Sequence, residues 1–300
     1  MTTVAAPERL HERVLHWYAG AQRDLPWRRS DASSWGIFVS EIMLQQTPVA
    51  RVLPVWLEWM QRWPEPADLA GEAPGEAVRA WGRLGYPRRA LRLHSASVAM
   101  AERHGGKVPM SEAELATLPG VGAYTAAAVA TFAFGERTVV VDTNVRRVIA
   151  RAVTGDEHAA ASPTRAEHAL ATTLVPDDPD RARTWSVAVM ELGALVCTAR
   201  APRCGDCPVR DLCQWQLAGR PAYQGPPRRG QAWAGTDRQM RGALLRRLRE
   251  SPEPVPRSVL ETVSDHDVQR ERCLDSLVAD GLVEPLARDF FRLPGSRGAS

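Results

Sequence analysis

Lysine is almost absent from this chain. Its 38 lysine and arginine residues include one lysine, Lys107, so arginine supplies nearly all of the positive charge. Arginine binds phosphate through a planar, bidentate fork, and the formal net charge of +3 is compatible with a nucleic-acid partner. The shortage of lysine also restricts the chemistry, because few positions can supply an amine that forms a Schiff base.

Long apolar runs are also missing. No stretch is long enough to cross a membrane, and the first residues are charged early with no apolar segment of the kind that a secretory leader has. We therefore expect a cytoplasmic protein without membrane contact. An apolar content of 44% and a charged content of 24% are those of a globular protein, and 300 residues predict two or three packed units.

Helical apolar spacing dominates the chain up to about residue 196. Residues 221–236 have the proline and glycine content of a linker. The segment 237–294 combines three helical patterns with two strand-like stretches, 282–286 and 290–293. That order favours a winged helix-turn-helix, with a generic helical appendage as the alternative.

A turn with two glycines, Gly120 and Gly122, precedes a helix of small residues at 123–133. Glycines allow a close backbone approach, and the amides at the start of the following helix can face an anion such as a DNA phosphate. An ordinary turn between helices would use the same residues, so this motif alone is weak.

Four of the five cysteines have the spacing Cys-x6-Cys-x2-Cys-x5-Cys, at Cys197, Cys204, Cys207 and Cys213. A reducing compartment disfavours disulfides, so we expect a metal site. Zinc commonly uses two Cys-x2-Cys pairs, whereas here one such pair has longer, unequal arms, which favours an iron–sulfur cluster and leaves zinc as the alternative. Cys273 lies far away and is interpreted as a core residue.

Two carboxylates are candidates for acid–base chemistry. Glu41 lies on the apolar face of its predicted helix with Ile37 and Phe38, where desolvation should raise its pKa, although a solvated or ion-paired glutamate is the alternative. Asp142 lies between an apolar run and a helix start. Such an aspartate is most often an N-cap, and the helix dipole would keep it ionised.

As a set, these features resemble the helix-hairpin-helix DNA glycosylases that carry a [4Fe–4S] cluster, and among them the MutY-type adenine glycosylases. The resemblance covers about residues 8–216. Its segments are 25–28 (LPWR), 40–47 (SEIMLQQT), 84–86 (LGY), 120–125 (GVGAYT), 142–148 (DTNVRRV) and 191–194 (ELGA).

The resemblance implies an all-α fold with two helical domains. A six-helix barrel domain with the helix-hairpin-helix would occupy 33–144, and an iron–sulfur domain would combine 1–32 with 145–220. The linker 221–236 and a winged-helix-like domain at 237–300 would follow. It further implies a monomer that removes adenine mispaired with 8-oxoguanine or guanine from double-stranded DNA.

Roles for individual residues also come from the resemblance. Glu41 would be the acid, Asp142 the stabiliser or nucleophile at the sugar C1′, Asn144 its orienting partner, and Tyr124 a support for the intermediate. Because relatives with lyase activity have lysine at the position of Tyr124, we expect a monofunctional enzyme. The DNA contacts would come from Trp27 and Arg28 in the adenine pocket, Gln46 and Thr47, the wedge residues Leu84 and Tyr86, and Gly120 and Gly122. Cys197, Cys204, Cys207 and Cys213 would hold the [4Fe–4S] cluster.

Departures from the MutY-type pattern keep alternatives open. Val187 and Pro87 replace common residues near the adenine pocket and the wedge, and the segment after the linker is too short for the Nudix-like domain of many relatives. A thymine or uracil mismatch glycosylase on the same scaffold is the nearest alternative. A non-catalytic iron–sulfur regulator that binds DNA is a more distant one.

Overall fold

The structure, a computed structural model, describes residues 7–225 and 234–295 and is predominantly helical, as the sequence predicts. The α-helices are α1 Pro7–Ala21, α2 Ser34–Leu44, α3 Val49–Arg62, α4 Pro66–Ala70, α5 Pro74–Ala80, α6 Arg88–Arg103, α7 Glu112–Leu115, α8 Ala123–Phe134, α9 Thr143–Ile149, α10 Arg165–Thr173, α11 Pro179–Leu195, α12 Gln214–Leu217, α13 Asp237–Glu250, α14 Arg257–Glu261 and α15 Asp267–Ala279. No helix among these residues is both long and apolar enough to span a bilayer.

The chain divides into two compact units. The first unit comprises Met1–Ala32, Met110–Ala116 and Val121–Pro227, and the second comprises Ser33–Pro109, Thr117–Gly120 and Arg228–Ser300. Each is therefore assembled from separate parts of the chain. Of the predicted linker at 221–236, residues 226–233 lie outside the described residues.

The core of the first unit forms where α1, α9 and α11 meet. Leu10 and Val14 lie one turn apart on α1 and are buried, and they belong to one apolar cluster with Val145 of α9 and Leu192 of α11. The helical spacing of these residues makes each helix amphipathic, so burial of one face stabilises all three helices together. The start of α9 is thereby fixed beside α11.

Tryptophans organise the core of the second unit. Trp59 packs edge-on against Trp63 and Trp81, with ring centroids 4.8 and 5.7 Å apart. Each indole nitrogen that is buried here needs an acceptor, and Trp81 donates to the carbonyl of Gly85 at 2.9 Å. This bond ties the loop between α5 and α6 to the core.

The sequence pattern at 68–81 predicts one helix, and this prediction was wrong. α4 ends at Ala70 with Gly71 as its C-cap, and α5 begins at Pro74, whose ring favours the first turn of a new helix and cannot continue an old one.

The C-terminal region, residues 237–295, has the order α13, β1, α14, α15, β2, β3. Its strands are β1 Val255–Pro256, β2 Glu284–Leu286 and β3 Phe290–Arg292. They form an antiparallel sheet with β3 in the centre, where Phe291 pairs with Val255 on one side and Pro285 on the other. The sequence predicts β2 and β3, whereas it does not predict β1, which is only two residues long.

Candidate active site

In the first unit, Asp142 is the N-cap of α9. Its Oδ1 accepts a hydrogen bond from the backbone N–H of Val145 at 2.6 Å, and its Oδ2 accepts one from the side chain of Asn144 at 2.8 Å. The structure therefore brings Asp142 and Asn144 together in the arrangement that the resemblance implies. Both carboxylate oxygens are held in fixed directions.

Burial raises the pKa of Asp142, despite the opposing hydrogen bonds from Val145 and Asn144 and the charge of Arg147. The hydrogen bonds of the N-cap lower the pKa, as the sequence argument from the helix terminus expects, and burial outweighs them. Desolvation disfavours the charged carboxylate more than the cap stabilises it. The Coulomb attraction between a desolvated carboxylate and a positive charge that develops beside it is strong, because little water screens it.

Close packing behind Asp142 fixes its partner. A Cβ added at Gly193 of α11 would lie 2.7 Å from the Cβ of Asn144, so α9 approaches α11 as closely as only glycine permits. Arg147 donates to the Asn144 side-chain oxygen at 2.7 Å, to the Gly193 carbonyl at 2.7 Å and to the Cys197 carbonyl at 2.7 Å. One guanidinium thus connects the orienting asparagine with the first residue of the cysteine loop.

Arg28, predicted to contact the base, lies in an ion-pair group around Glu191. The Glu191 side chain is fully buried and accepts two hydrogen bonds from the Arg23 guanidinium, at 2.6 and 2.7 Å, and one from Arg28 at 2.9 Å. Burial alone would raise the pKa of Glu191, but the two arginines hold it below its ordinary value. Trp27, the other predicted pocket residue, is 5% exposed.

Tyr124 lies in the first turn of α8 and packs against Ala127, Ala128 and Val140. Gly122 is the N-cap of the same helix, and a Cβ added there would meet no atom of the described residues within 4 Å. The fold therefore gives no steric reason for glycine at 122. The open space beside its Cα leaves room for an approaching ligand. At Gly120, in the second unit, a Cβ would lie 2.5 Å from the Cβ of Arg92, and its φ of 77° also requires glycine.

In the second unit, Glu41 is 5% exposed on α2. Ser33 caps this helix by accepting from the N–H of Gly36 at 3.0 Å, and residues 35–43 of the helix are all buried. The expectation that Glu41 lies on a buried face of its helix is confirmed. A helix that is apolar on all sides holds a carboxyl group away from bulk water.

Arg89 of α6 holds the end of α2. Its guanidinium donates to the carbonyls of Ile42, Met43 and Gln45, at 2.9, 3.0 and 2.6 Å. These carbonyls have no partner within the helix, because they lie in its last turn. The arginine thereby defines where the helix of Glu41 stops.

The same guanidinium reaches the other predicted DNA-contact residues. It donates to the Thr47 hydroxyl at 2.8 Å and to the Gly85 carbonyl at 3.1 Å. Next to these partners, Gln46 and Tyr86 have left-handed φ values of 56° and 47°, which are uncommon for residues other than glycine. Arg89 therefore fixes both turns that present exposed side chains.

The structure separates the two predicted wedge residues. Tyr86 is 44% exposed, whereas Leu84 is 3% exposed, and its carbonyl accepts from the Thr47 hydroxyl at 3.3 Å. Gln46 is exposed and Thr47 is buried. The side chains that reach the surface of these turns are accordingly Gln46 and Tyr86.

The four cysteines of the loop form no disulfide; Cys213 belongs to the core of the first unit, and Cys197, Cys204 and Cys207 pack against it. Burial raises the pKa of Cys207 to about 11, and the charges of the other three cysteines of the loop add to this rise. In residues 7–225 and 234–295, no group of three or more histidine, cysteine, aspartate or glutamate side chains is arranged to hold a single metal ion. The sequence spacing, with one Cys-x2-Cys pair and longer, unequal arms, fits an iron–sulfur cluster better than a single zinc ion.

Comparison with known proteins gives one match to the helical region and one to the cysteine loop. Residues 39–173 match the HhH-GPD superfamily of base excision DNA repair proteins, and residues 197–213 match the iron–sulfur binding domain of endonuclease III. An adenine DNA glycosylase of Mycobacterium tuberculosis is 52% identical, covering 98% of this chain and 96% of its own. That of Mycolicibacterium smegmatis is 54% identical, with coverages of 94% and 95%.

The chain belongs to the adenine DNA glycosylase family. Among solved structures, a thermostable thymine-DNA glycosylase is similar with a TM-score of 0.64 and 28% identity, covering 71% of this chain and 97% of that one. The cofactor of the chain described here, as a member of the adenine DNA glycosylase family, is a [4Fe–4S] cluster.

Three supporting residues of the glycosylase escaped prediction from the sequence. They are the arginines Arg89 and Arg147, whose partners are mostly backbone carbonyls, and Glu191, whose partners lie 163 and 168 residues away in the chain. No local pattern marks an arginine that binds carbonyls. Glu191 could have been singled out, because a lone glutamate inside an apolar helix pattern must be paired when it is buried.

Proposed function

We propose that this chain excises adenine mispaired with 8-oxoguanine or guanine from double-stranded DNA, acting as a monomer. The observation that supports it most is the Asp142 carboxylate, which is buried and held by Val145 and Asn144. Cleavage of an N-glycosidic bond leaves an oxocarbenium-like sugar, and a desolvated carboxylate with fixed oxygens stabilises such a cation.

The leaving adenine needs a proton, and Glu41 supplies it. Glu41 is 5% exposed on a helix whose residues 35–43 are all buried, so its carboxyl group lies away from bulk water. Water then completes the hydrolysis at C1′, while Tyr124 and Asn144 hold the intermediate in place. The [4Fe–4S] cluster, bound by Cys197, Cys204, Cys207 and Cys213, stabilises the fold of its loop when present.

The target base must leave the duplex before it reacts. Gln46 and Tyr86, on turns fixed by Arg89, are the exposed side chains that replace it and support the opposite strand. Trp27 and Arg28 contribute to the adenine pocket, and the Gly120–Gly122 turn binds phosphate. Leu84 and Thr47 act as supports of these turns, since both are buried.

The enzyme should be monofunctional. The chain has one lysine, Lys107, which is exposed in the second unit, and Tyr124 occupies the position at which lyase relatives have an amine. Without an amine at C1′, no Schiff base forms and the strand stays intact after the base is released.

The test is a single-turnover assay on matched duplexes that contain A:8-oxoG, A:G, T:G or A:T. Heating in alkali reveals abasic sites, and a parallel sample without alkali reveals lyase cleavage. We expect alkali-dependent cleavage at adenine opposite 8-oxoguanine and guanine only. Faster processing of T:G would favour the thymine glycosylase that the solved neighbour exemplifies, and borohydride trapping of enzyme on DNA would refute the monofunctional mechanism.

A further inference from the structure

The exposed wedge residue Tyr86 has a partner from the far end of the chain. Arg238, in the first turn of α13, donates a hydrogen bond to the Tyr86 hydroxyl at 2.8 Å. Its guanidinium carbon also lies 4.9 Å from the centroid of the Tyr86 ring. Both residues belong to the second unit, and both are exposed. An exposed aromatic ring is thus held by a cation from the C-terminal region.

The C-terminal region is firmly attached where this contact occurs. At the end of α13, Arg249 donates to the carbonyls of Val78, at 2.9 Å, and Gly82, and burial lowers its pKa to about 10. Arg79 donates back to the carbonyls of Arg249 and Ser251. Because these bonds fix α13 to α5 and to the loop that contains Tyr86, the position of Arg238 is determined by the fold.

A further ion pair holds the region beside the same loop. Asp280, just after α15, pairs with Arg241 of α13 and with Arg88 of α6, the latter at 3.3 Å. Arg88 is two residues after Tyr86. The tyrosine is therefore attached to the C-terminal region on both sides of its turn.

Tyr86 needs such support because its backbone is unfavourable by itself. Its φ of 47° lies in the left-handed region, and it follows Gly85, whose φ is also positive. A residue with a bulky side chain stays in this region only when the surroundings fix it. Arg89 secures the backbone of the turn from inside, and Arg238 secures the ring from outside.

The charge of Arg238 is available to a ligand. No carboxylate of the described residues forms an ion pair with it, and its neighbour Asp237 pairs with Arg272 at 2.7 Å. Arg51 and Arg83 lie exposed near the same turn, where Arg51 donates to the carbonyl of Arg83. An aromatic ring among exposed arginines suits a nucleic-acid strand, on which the ring stacks while the cations meet phosphate.

We propose that Arg238 is a positioning residue for Tyr86, and that it acts in binding the DNA strand opposite the excised base. It holds the Tyr86 ring ready to stack on that strand, and it places a positive charge beside the ring. This inference rests on the proposed function insofar as the ligand is a mispaired duplex. It gives the C-terminal region a task that the excision chemistry does not require.

The experiment measures duplex affinity and chemistry separately. Fluorescence anisotropy gives Kd for a labelled duplex with 2′-fluoro-deoxyadenosine, which resists excision, opposite 8-oxoguanine, and single-turnover rates at saturating enzyme are taken on the cleavable duplex. The variants are Arg238→Ala, Arg238→Lys, Tyr86→Ala and the double variant Arg238→Ala with Tyr86→Ala. Arg246→Ala is the matched control, because Arg246 is an exposed arginine of the same helix whose nearest carboxylate is Glu250.

Arg238→Ala should raise Kd about tenfold more than Arg246→Ala, since it removes a hydrogen bond and a cation–π contact. Arg238→Lys should recover most of the affinity. The effect of Arg238→Ala should be larger on Kd than on the single-turnover rate at saturating enzyme. In the Tyr86→Ala background, Arg238→Ala should weaken binding by much less than tenfold, because only the contribution of its charge remains. Equal losses for Arg238→Ala and Arg246→Ala in the parent protein, or a tenfold loss that persists without Tyr86, would overturn the inference. Failure of the unsubstituted protein to release adenine would refute the proposed function instead, because the binding comparison needs no excision.

Discussion

Replacement of Arg89 by methionine perturbs the end of the Glu41 helix and the Tyr86 turn at once. Arg89 is 5% exposed and donates to four carbonyls and the Thr47 hydroxyl, which belong to two different turns. Methionine fills much of the same volume, but it donates nothing. The variant therefore leaves the last carbonyls of α2 and the Gly85 carbonyl without their donor.

The magnitude follows from opposing contributions. Hydrogen bonds from a charged donor contribute about 1.5–3 kcal/mol each, and five such bonds to one group are far from additive. Burial of the guanidinium opposes them, as the lowering of its pKa to about 10 shows. For a buried charged group with several partners we expect a net loss of about 3–5 kcal/mol. In a protein of this size, that corresponds to a Tm lower by about 10 °C.

Thermal unfolding and adenine excision test this expectation together. Arg89→Met should lower both Tm and the single-turnover rate, because Gln46 and Tyr86 lose their fixed turns. The Tm and the rate of Arg89→Lys should lie between those of the parent protein and Arg89→Met, because an ammonium group lacks the planar fork with which the guanidinium reaches both turns. Arg103→Met, an exposed arginine at the end of the same helix, is the control. A Tm change for Arg89→Met that equals the control would refute this account of the turns.

Three further predictions concern the first unit. The pKa of Glu191 is lowered in the folded state, so its ionised carboxylate stabilises the fold above the ordinary pKa of about 4.3, and this contribution is lost as the pH falls through the lower folded value. The difference in urea midpoint between the parent protein and Glu191→Gln should therefore be large at pH 7 and shrink below about pH 4. Gly193→Ala should destabilise the protein by about 1–3 kcal/mol in urea unfolding, and it should slow excision because the new methyl group displaces Asn144. Gly242→Ala should do neither, because a Cβ there meets no atom of the described residues within 4 Å. Removal of iron by oxidation and chelation should make residues 197–213 accessible to protease, and unchanged proteolysis would count against a folding role for the cluster.

Much of the fold could be predicted from the sequence because its cause is local. The helical spacing of Leu10 and Val14 is sufficient to predict α1, and the N-cap role of Asp142 follows from a polar residue before a helix. The cysteine spacing likewise indicates a cluster loop, since the four ligands lie within one short segment. The sequence also places Glu41 on an apolar helix face, and the structure confirms its burial.

Other features depend on contacts between distant segments, so no local pattern reports them. The pKa of Asp142 is raised by burial, which depends on how α9 packs against α11 through Gly193. The contact between Arg238 and Tyr86 joins residues 152 positions apart. Leu84 and Tyr86 are alike in sequence as apolar loop residues, and only packing distinguishes the buried one from the exposed one.

The central claim is that Glu41 and Asp142 act in one excision reaction. The most direct measurement is the single-turnover rate of adenine release from an A:8-oxoG duplex for Glu41→Gln, Asp142→Asn and the double variant. The controls are Glu58→Gln, an exposed helix glutamate, and Asp178→Asn, which also caps a helix by accepting from Arg181 at 2.8 Å. We predict losses of at least about a hundredfold for each single variant, a double variant little slower than the worse single one, and unchanged controls. Excision by Asp142→Asn or Glu41→Gln at the rate of its control, with folding intact, would contradict the claim.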